Sequence, residues 1–159
     1  MEYTDSFIEQ LLNCPKKITK PPAREMKLDR GHWKNNFELE SESGEYRFSV
    51  FIRYNDTFNE NFSIGLDYNP REVPGSIALI RCNGPHGSTK QWDHHGQTHI
   101  HIASAETINN GLKPESNIEI SNRYTSWSEA LQYFIKRVNI HGTELYFPPP
   151  QGNLFEESE

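Results

Sequence analysis

Residues 45–54, EYRFSVFIRY, decide the fold class. Tyr46, Phe48, Val50, Ile52 and Tyr54 recur at every second position, with Arg47, Ser49 and Arg53 between them. A period of two sends alternate side chains to opposite faces of a strand, here one apolar and one wet. Residues 62–68, FSIGLDY, repeat the pattern: Phe62, Ile64, Leu66 and Tyr68 face one way, Ser63, Gly65 and Asp67 the other. Upstream, Asn36–Glu40 joins Glu45–Tyr54 through the Ser41–Gly44 turn, which predicts a hairpin. Downstream, Ile77–Cys82 is apolar on both faces and predicts a central strand. Thr98–Ala103 places Ile100 and Ile102 on one face and His99 and His101 on the other.

Helix signals flank these strands. Thr4 or Asp5 can cap a short amphipathic helix carrying Phe7, Ile8, Leu11 and Leu12, which Pro15 stops. A short helix over 104–110 is closed by Gly111. Ser126-Trp127-Ser128-Glu129 forms a capping box ahead of Ala130, Leu131, Phe134, Ile135 and Val138. Residues 15–35 are basic, Pro-containing and irregular, and read as a connector. Residues 148–159, Pro-rich then acidic, read as a disordered tail. The expected architecture is a single α+β domain over 1–147, with one mainly antiparallel sheet of about five strands. The N- and C-terminal helices would pack on one of its faces.

Composition bounds the function. The 159 residues are 34% apolar and 12% aromatic, so large rings supply much of the core. A net charge of −6 argues against broad non-specific binding to DNA or an anionic membrane, while leaving room for a local basic groove. The run 16–34 holds Lys16, Lys17, Lys20, Arg24, Lys27, Arg30 and Lys34. It reads either as a solvated connector or as a contact for nucleic acid or an acidic protein partner. Cys14 and Cys82 lie far apart, which fits a reducing, cytoplasmic compartment. No stretch approaches the length of a membrane span, and no signal peptide opens the chain. Nothing in the sequence fixes an oligomeric state.

Chemistry concentrates in residues 81–103, RCNGPHGSTKQWDHHGQTHIHIA, which hold five of the seven histidines. His99 and His101, two apart on a strand, share a face and can share a divalent ion such as Zn, Mn or Mg. His86 is the third candidate ligand, with Asp93, His94 and His95 as further loop candidates. The same imidazoles suit metal-free acid–base chemistry, or simply an ordinary polar face. Gly84-Pro85-His86-Gly87 follows the central strand, where glycines either admit a phosphate to the backbone or serve a tight turn. Arg81 can clamp the same anion or pair with a carboxylate. Asp93 and Glu106 are the nearest acids in sequence. Walker, Rossmann, nucleophile-elbow and Cys-x-x-Cys motifs are absent.

Two resemblances follow from these residues. His-Ile-His with a later helical Tyr-x-x-Lys resembles the HUH endonucleases, which implies His99 and His101 as metal ligands, Tyr133 as nucleophile and Lys136 beside it. The match covers those four positions; the family's first motif is missing and the order of elements differs. More broadly, Ile77–His141 resembles a family of small uncharacterised bacterial and mobile-element proteins, classed as a domain of unknown function. Arg81, Asn83, Gly84, His86, His99 and His101 match its Arg-x-Asp/Asn-Gly-x-x-His loop and His-x-His strand. Its Asn-Pro-Asp-Gly turn is replaced here by Gly87–Gly96. That resemblance implies one site and supplies no reaction.

Two functions are therefore expected. One is a metal-assisted phosphodiester hydrolase, a nuclease or nucleotide phosphodiesterase. It would use Arg81, His86, His99 and His101, the three histidines also serving as metal ligands. The other is a non-enzymatic module of a phage-defence or mobile-element system that binds a nucleotide, an anion or a protein.

Overall fold

The structure is a computed structural model and describes residues 2–85, 97–114 and 117–148. The alternating segments form strands β3 (His32–Ser41), β4 (Arg47–Asn55), β5 (Phe62–Tyr68) and β6 (Ile77–Asn83). β7 (His99–Ile102) follows, and each strand pairs antiparallel with the next. The register sets Phe37 opposite Val50, Val50 opposite Leu66 and Leu66 opposite Ile80, so the apolar positions of neighbouring strands coincide on one face.

The whole is larger than the sequence implies. Nine strands build one mixed sheet in the order β8-β7-β6-β5-β4-β3-β1-β9, with β2 pairing β3 outside this path. Among the described residues three short α-helices accompany it: α1 (Asp5–Asn13), α2 (Ala105–Asn109) and α3 (Trp127–Arg137). The expected sheet of about five strands packed by terminal helices is thus overturned. The extra strands are short or largely accessible segments with few apolar residues. β1 (Lys16–Lys20) and β2 (Lys27–Asp29) lie inside the stretch read as a connector, and both add to β3. β8 (Asn117–Ile120) is exposed at every position, and β9 (Ile140–His141) is two residues long. β9 runs parallel to β1, which makes the sheet mixed.

The core lies on the face that carries Phe37, Phe48, Ile64, Cys82 and Ile100, where Leu11 and Leu12 of α1 and Leu131 and Phe134 of α3 complete it. Each such side chain contributes about 2 kcal/mol by leaving water. Both helices start as the sequence predicts. Thr4 accepts from the Phe7 amide, and Ser126 from the Glu129 amide. Glu129 reaches past Ser126 to the amide and hydroxyl of Thr125.

Lys16 joins the ends of both helices. Its ammonium is fully buried and donates to the carbonyls of Leu12 and Cys14 at 2.9 Å and of Val138 at 2.7 Å, lying 4.9 Å from the Phe48 ring centroid. Three donors meet three acceptors at the carbonyl-rich ends of α1 and α3, where the helix dipoles favour a cation. Burial pulls its pKa down to about 8. Among the described residues, no helix is long and apolar enough to cross a membrane.

Candidate functional site

His99 and His101 occupy the face of β7 opposite the core, because the intervening Ile100 is a core residue. β6 brings Arg81 directly opposite His101 and Asn83 directly opposite His99. β5 adds Gly65 opposite Arg81 and Ser63 opposite Asn83. Side chains directly across a ladder share a face, so these six positions converge. The two imidazoles lie edge to face with centroids 5.0 Å apart.

A hydrogen-bonded relay fixes His99. The Ser63 hydroxyl donates to Asn83 Oδ1 at 2.7 Å, and Asn83 Nδ2 donates to His99 Nε2 at 3.4 Å. His99 Nδ1 donates to the Gln97 carbonyl at 2.8 Å. A carbonyl can only accept, so Nδ1 carries the proton and Nε2 presents its lone pair. That lone pair accepts from the Asn83 amide, so both the tautomer and the orientation of the His99 ring are fixed. His99 is fully buried and His101 keeps 8% exposure, so both rings are buried and His101 is the less covered of the two. From the core side, the Tyr124 hydroxyl donates to the carbonyls of Asn83 and His99, tying β6 to β7 beneath the pair.

Asp67 is the functional residue that sequence reasoning missed. Its carboxyl shares the face of Arg81, and burial raises its pKa above the ordinary value of 3.8, while the Arg81 guanidinium pulls it back in part. The native state keeps this proton to higher pH than the unfolded chain, so stability falls as pH rises through the carboxylate range. Asp67→Asn, uncharged throughout, should flatten that fall when urea midpoints are followed from pH 3.5 upward. An unchanged slope would remove Asp67 from the buried charge group.

Gly84 serves packing. Its amide donates to the Phe62 carbonyl at 3.0 Å, and a Cβ there would sit 2.0 Å from the Glu60 carbonyl oxygen. The glycine is required by close packing against the Glu60 backbone, and its amide is engaged by Phe62. Tyr133 and Lys136 stand on α3, on the core side of the sheet, while His99 and His101 occupy the other side. Tyr133 accepts a hydrogen bond from Arg123 at 2.9 Å. The structure thus does not bring Tyr133 together with the histidine pair. Glu106 is exposed on α2.

His86, Asp93, His94 and His95 lie outside the described residues. Among the described residues, no three His, Cys, Asp or Glu side chains converge as metal ligands. The site as described offers two imidazoles, a guanidinium and a carboxyl, flanked by amide and hydroxyl groups. Such a set can hold an anion and move a proton beside it. No protein-family model, no curated protein and no solved structure matches the chain.

Proposed function

We propose that this chain is a small phosphodiester hydrolase whose reaction centre is Arg81, His99 and His101. The observation that carries the reading is the register of β6 and β7, which sets a cation opposite one imidazole and a tautomer-fixing amide opposite the other. Arg81 neutralises the charge that builds on the phosphoryl oxygens as a nucleophile attacks phosphorus. His101, the less deeply buried ring, takes the nucleophile's proton. His99 and Asn83 hold it in place, and Asp67 orients the guanidinium. In a metal-assisted form, His101 and His99, the latter freed from Asn83, would hold a divalent ion, which would supply a polarised water.

The test is turnover by the purified chain on single-stranded RNA, single-stranded DNA and cyclic nucleotides. Each is assayed with EDTA and with added Mn²⁺ or Zn²⁺. Phosphodiester cleavage that His101→Ala removes is expected; stimulation by the metal and loss with EDTA select the metal-assisted form. Tight binding of these ligands without product in any arm would replace the hydrolase by the non-enzymatic binding module.

A further inference from the structure

The sheet face that holds the histidine pair continues well beyond it. Lys27 of β2 stands opposite Lys34 of β3, Lys34 opposite Arg53 of β4, and Arg53 opposite Ser63 of β5. Ser63, Asn83 and His99 complete one in-register row across six strands. At about 4.8 Å between strands, this row spans roughly 24 Å. Its outer half is cationic, with Lys27, Lys34 and Arg53 all exposed. Like charges placed directly opposite each other across a ladder destabilise it. Asp29, 3.1 Å from Lys34, is the one carboxylate among the described residues that pairs with this row. At the far end of the same face the cations are matched, Lys17 and Arg71 both meeting Glu40.

An aromatic platform lies beside the cations. Phe51 stands opposite Gly65, and its ring lies over the bare glycine so closely that a Cβ there would meet it at 2.3 Å. The Arg53 guanidinium lies 5.9 Å from the ring centroid. On the other flank of Phe51 a depression of about 410 Å³ is lined by Lys20, Asn36, Glu38, Ser49 and Asp67. Cations in a line, an aromatic ring beside them, and a polar depression next to the ring suit the phosphates and the bases of one extended strand. Duplex bases, already stacked on each other, cannot use the ring.

We infer that the substrate is single-stranded RNA, laid across β2, β3 and β4 with its phosphates on Lys27, Lys34 and Arg53. A base stacks on Phe51, and the scissile phosphate reaches Arg81. The inference rests on the hydrolase reading and names its substrate class. RNA carries its own nucleophile, so an imidazole and a guanidinium suffice. The ribose 2′-oxygen bonds to phosphorus as the bond to the 5′-oxygen breaks. His101 takes the 2′-hydroxyl proton, and water protonates the departing 5′-oxygen. The products are a 2′,3′-cyclic phosphate and a 5′-hydroxyl.

Binding is tested apart from cleavage, by fluorescence anisotropy of a labelled 12-nucleotide RNA whose riboses carry 2′-methoxy groups. Three phosphate contacts predict a log–log salt slope of about −2. Lys27→Glu/Lys34→Glu/Arg53→Glu should weaken binding at least a hundredfold and flatten that slope. Phe51→Ala should weaken it about tenfold. Unchanged melting temperatures show that these variants fold. A duplex of the same sequence should bind at least tenfold more weakly. Binding indifferent to the triple charge reversal, or equal affinity for the duplex, overturns the track. Cleavage of unmodified RNA but not of DNA of the same sequence is expected, and equal DNA cleavage overturns the RNA assignment. Binding that follows these variants without cleavage of unmodified RNA leaves the track standing and removes the hydrolase. Cleavage with an unaltered KM in the triple variant does the reverse.

Discussion

Replacing His101 by alanine should lower phosphodiester turnover about a thousandfold, the middle of the range for loss of a positioned general base. The ring is the less deeply buried of the pair, and its cross-strand neighbour is the cation of the site. Arg81→Ala should cost about a hundredfold, because one donor to the developing charge is lost. Arg81→Lys should recover part of that rate, since it restores charge without the planar fork. The double variant should fall short of the product of the two losses, as groups acting on one reacting centre do not add. The loss should fall on kcat, with KM for RNA held by the distant cations. If His101→Ala keeps its turnover and merely melts earlier, the histidine pair is a structural feature of the sheet.

Lys16→Met should lower the unfolding free energy by about 3 kcal/mol, the scale of losing charge-assisted hydrogen bonds to buried acceptors. Methionine fills a similar volume, so the change isolates the bonds from the packing. It leaves the carbonyls of Leu12, Cys14 and Val138 without the donor that gathers them. Burial already works against the ammonium, as its pKa near 8 shows, and methionine relieves that cost. The three carbonyls outweigh the relief because they close two helices onto β1 at one point. Urea denaturation of the variant at pH 7 measures the difference. A variant as stable as the parent would mean that the carbonyls find other partners.

How far the sequence could be read depends on which faces are wet. β4 and β5 have one apolar face and one polar face, so their period of two is plain in the residues. β1, KKITK, keeps Ile18 only half buried and exposes Lys17, Thr19 and Lys20, so it looks like a solvated connector. Its partner strand lies more than a dozen residues away, and pairing rather than composition makes it a strand. β8 shows the same limit, with Ile118 and Ile120 about half exposed on an edge.

The site divides along the same line. Alternation placed His99 and His101 on one face, which is a local property. The partnership of Arg81 with His101 requires the β6–β7 register, which no local pattern carries. Asp67 was visible beside Ser63 and Gly65, yet a register shift between Leu66 and Asp67 sets it opposite Ala78. The extra residue of this bulge is Leu79 of β6, so Asp67 keeps the face it shares with Ser63 and Gly65. Its nearness to Arg81 comes from the β5–β6 pairing, which leaves no mark in the sequence. The basic run divided in an unexpected way. Lys16 became a buried fastener, Lys17 a partner of Glu40, and Lys27 and Lys34 part of the cationic row.

Long-range proton–nitrogen spectra of the imidazoles, titrated with a dinucleotide bearing a 2′-methoxy group, show whether the face carrying His99 and His101 receives a phosphodiester. The ligand cannot be cleaved, so binding at the rings is read without turnover. Saturable shifts of the His99 and His101 nitrogens are expected, lost in Arg81→Ala, while His32 and His141 stay fixed. Unmoved resonances of His99 and His101 at saturating dinucleotide would contradict phosphodiester binding at this face.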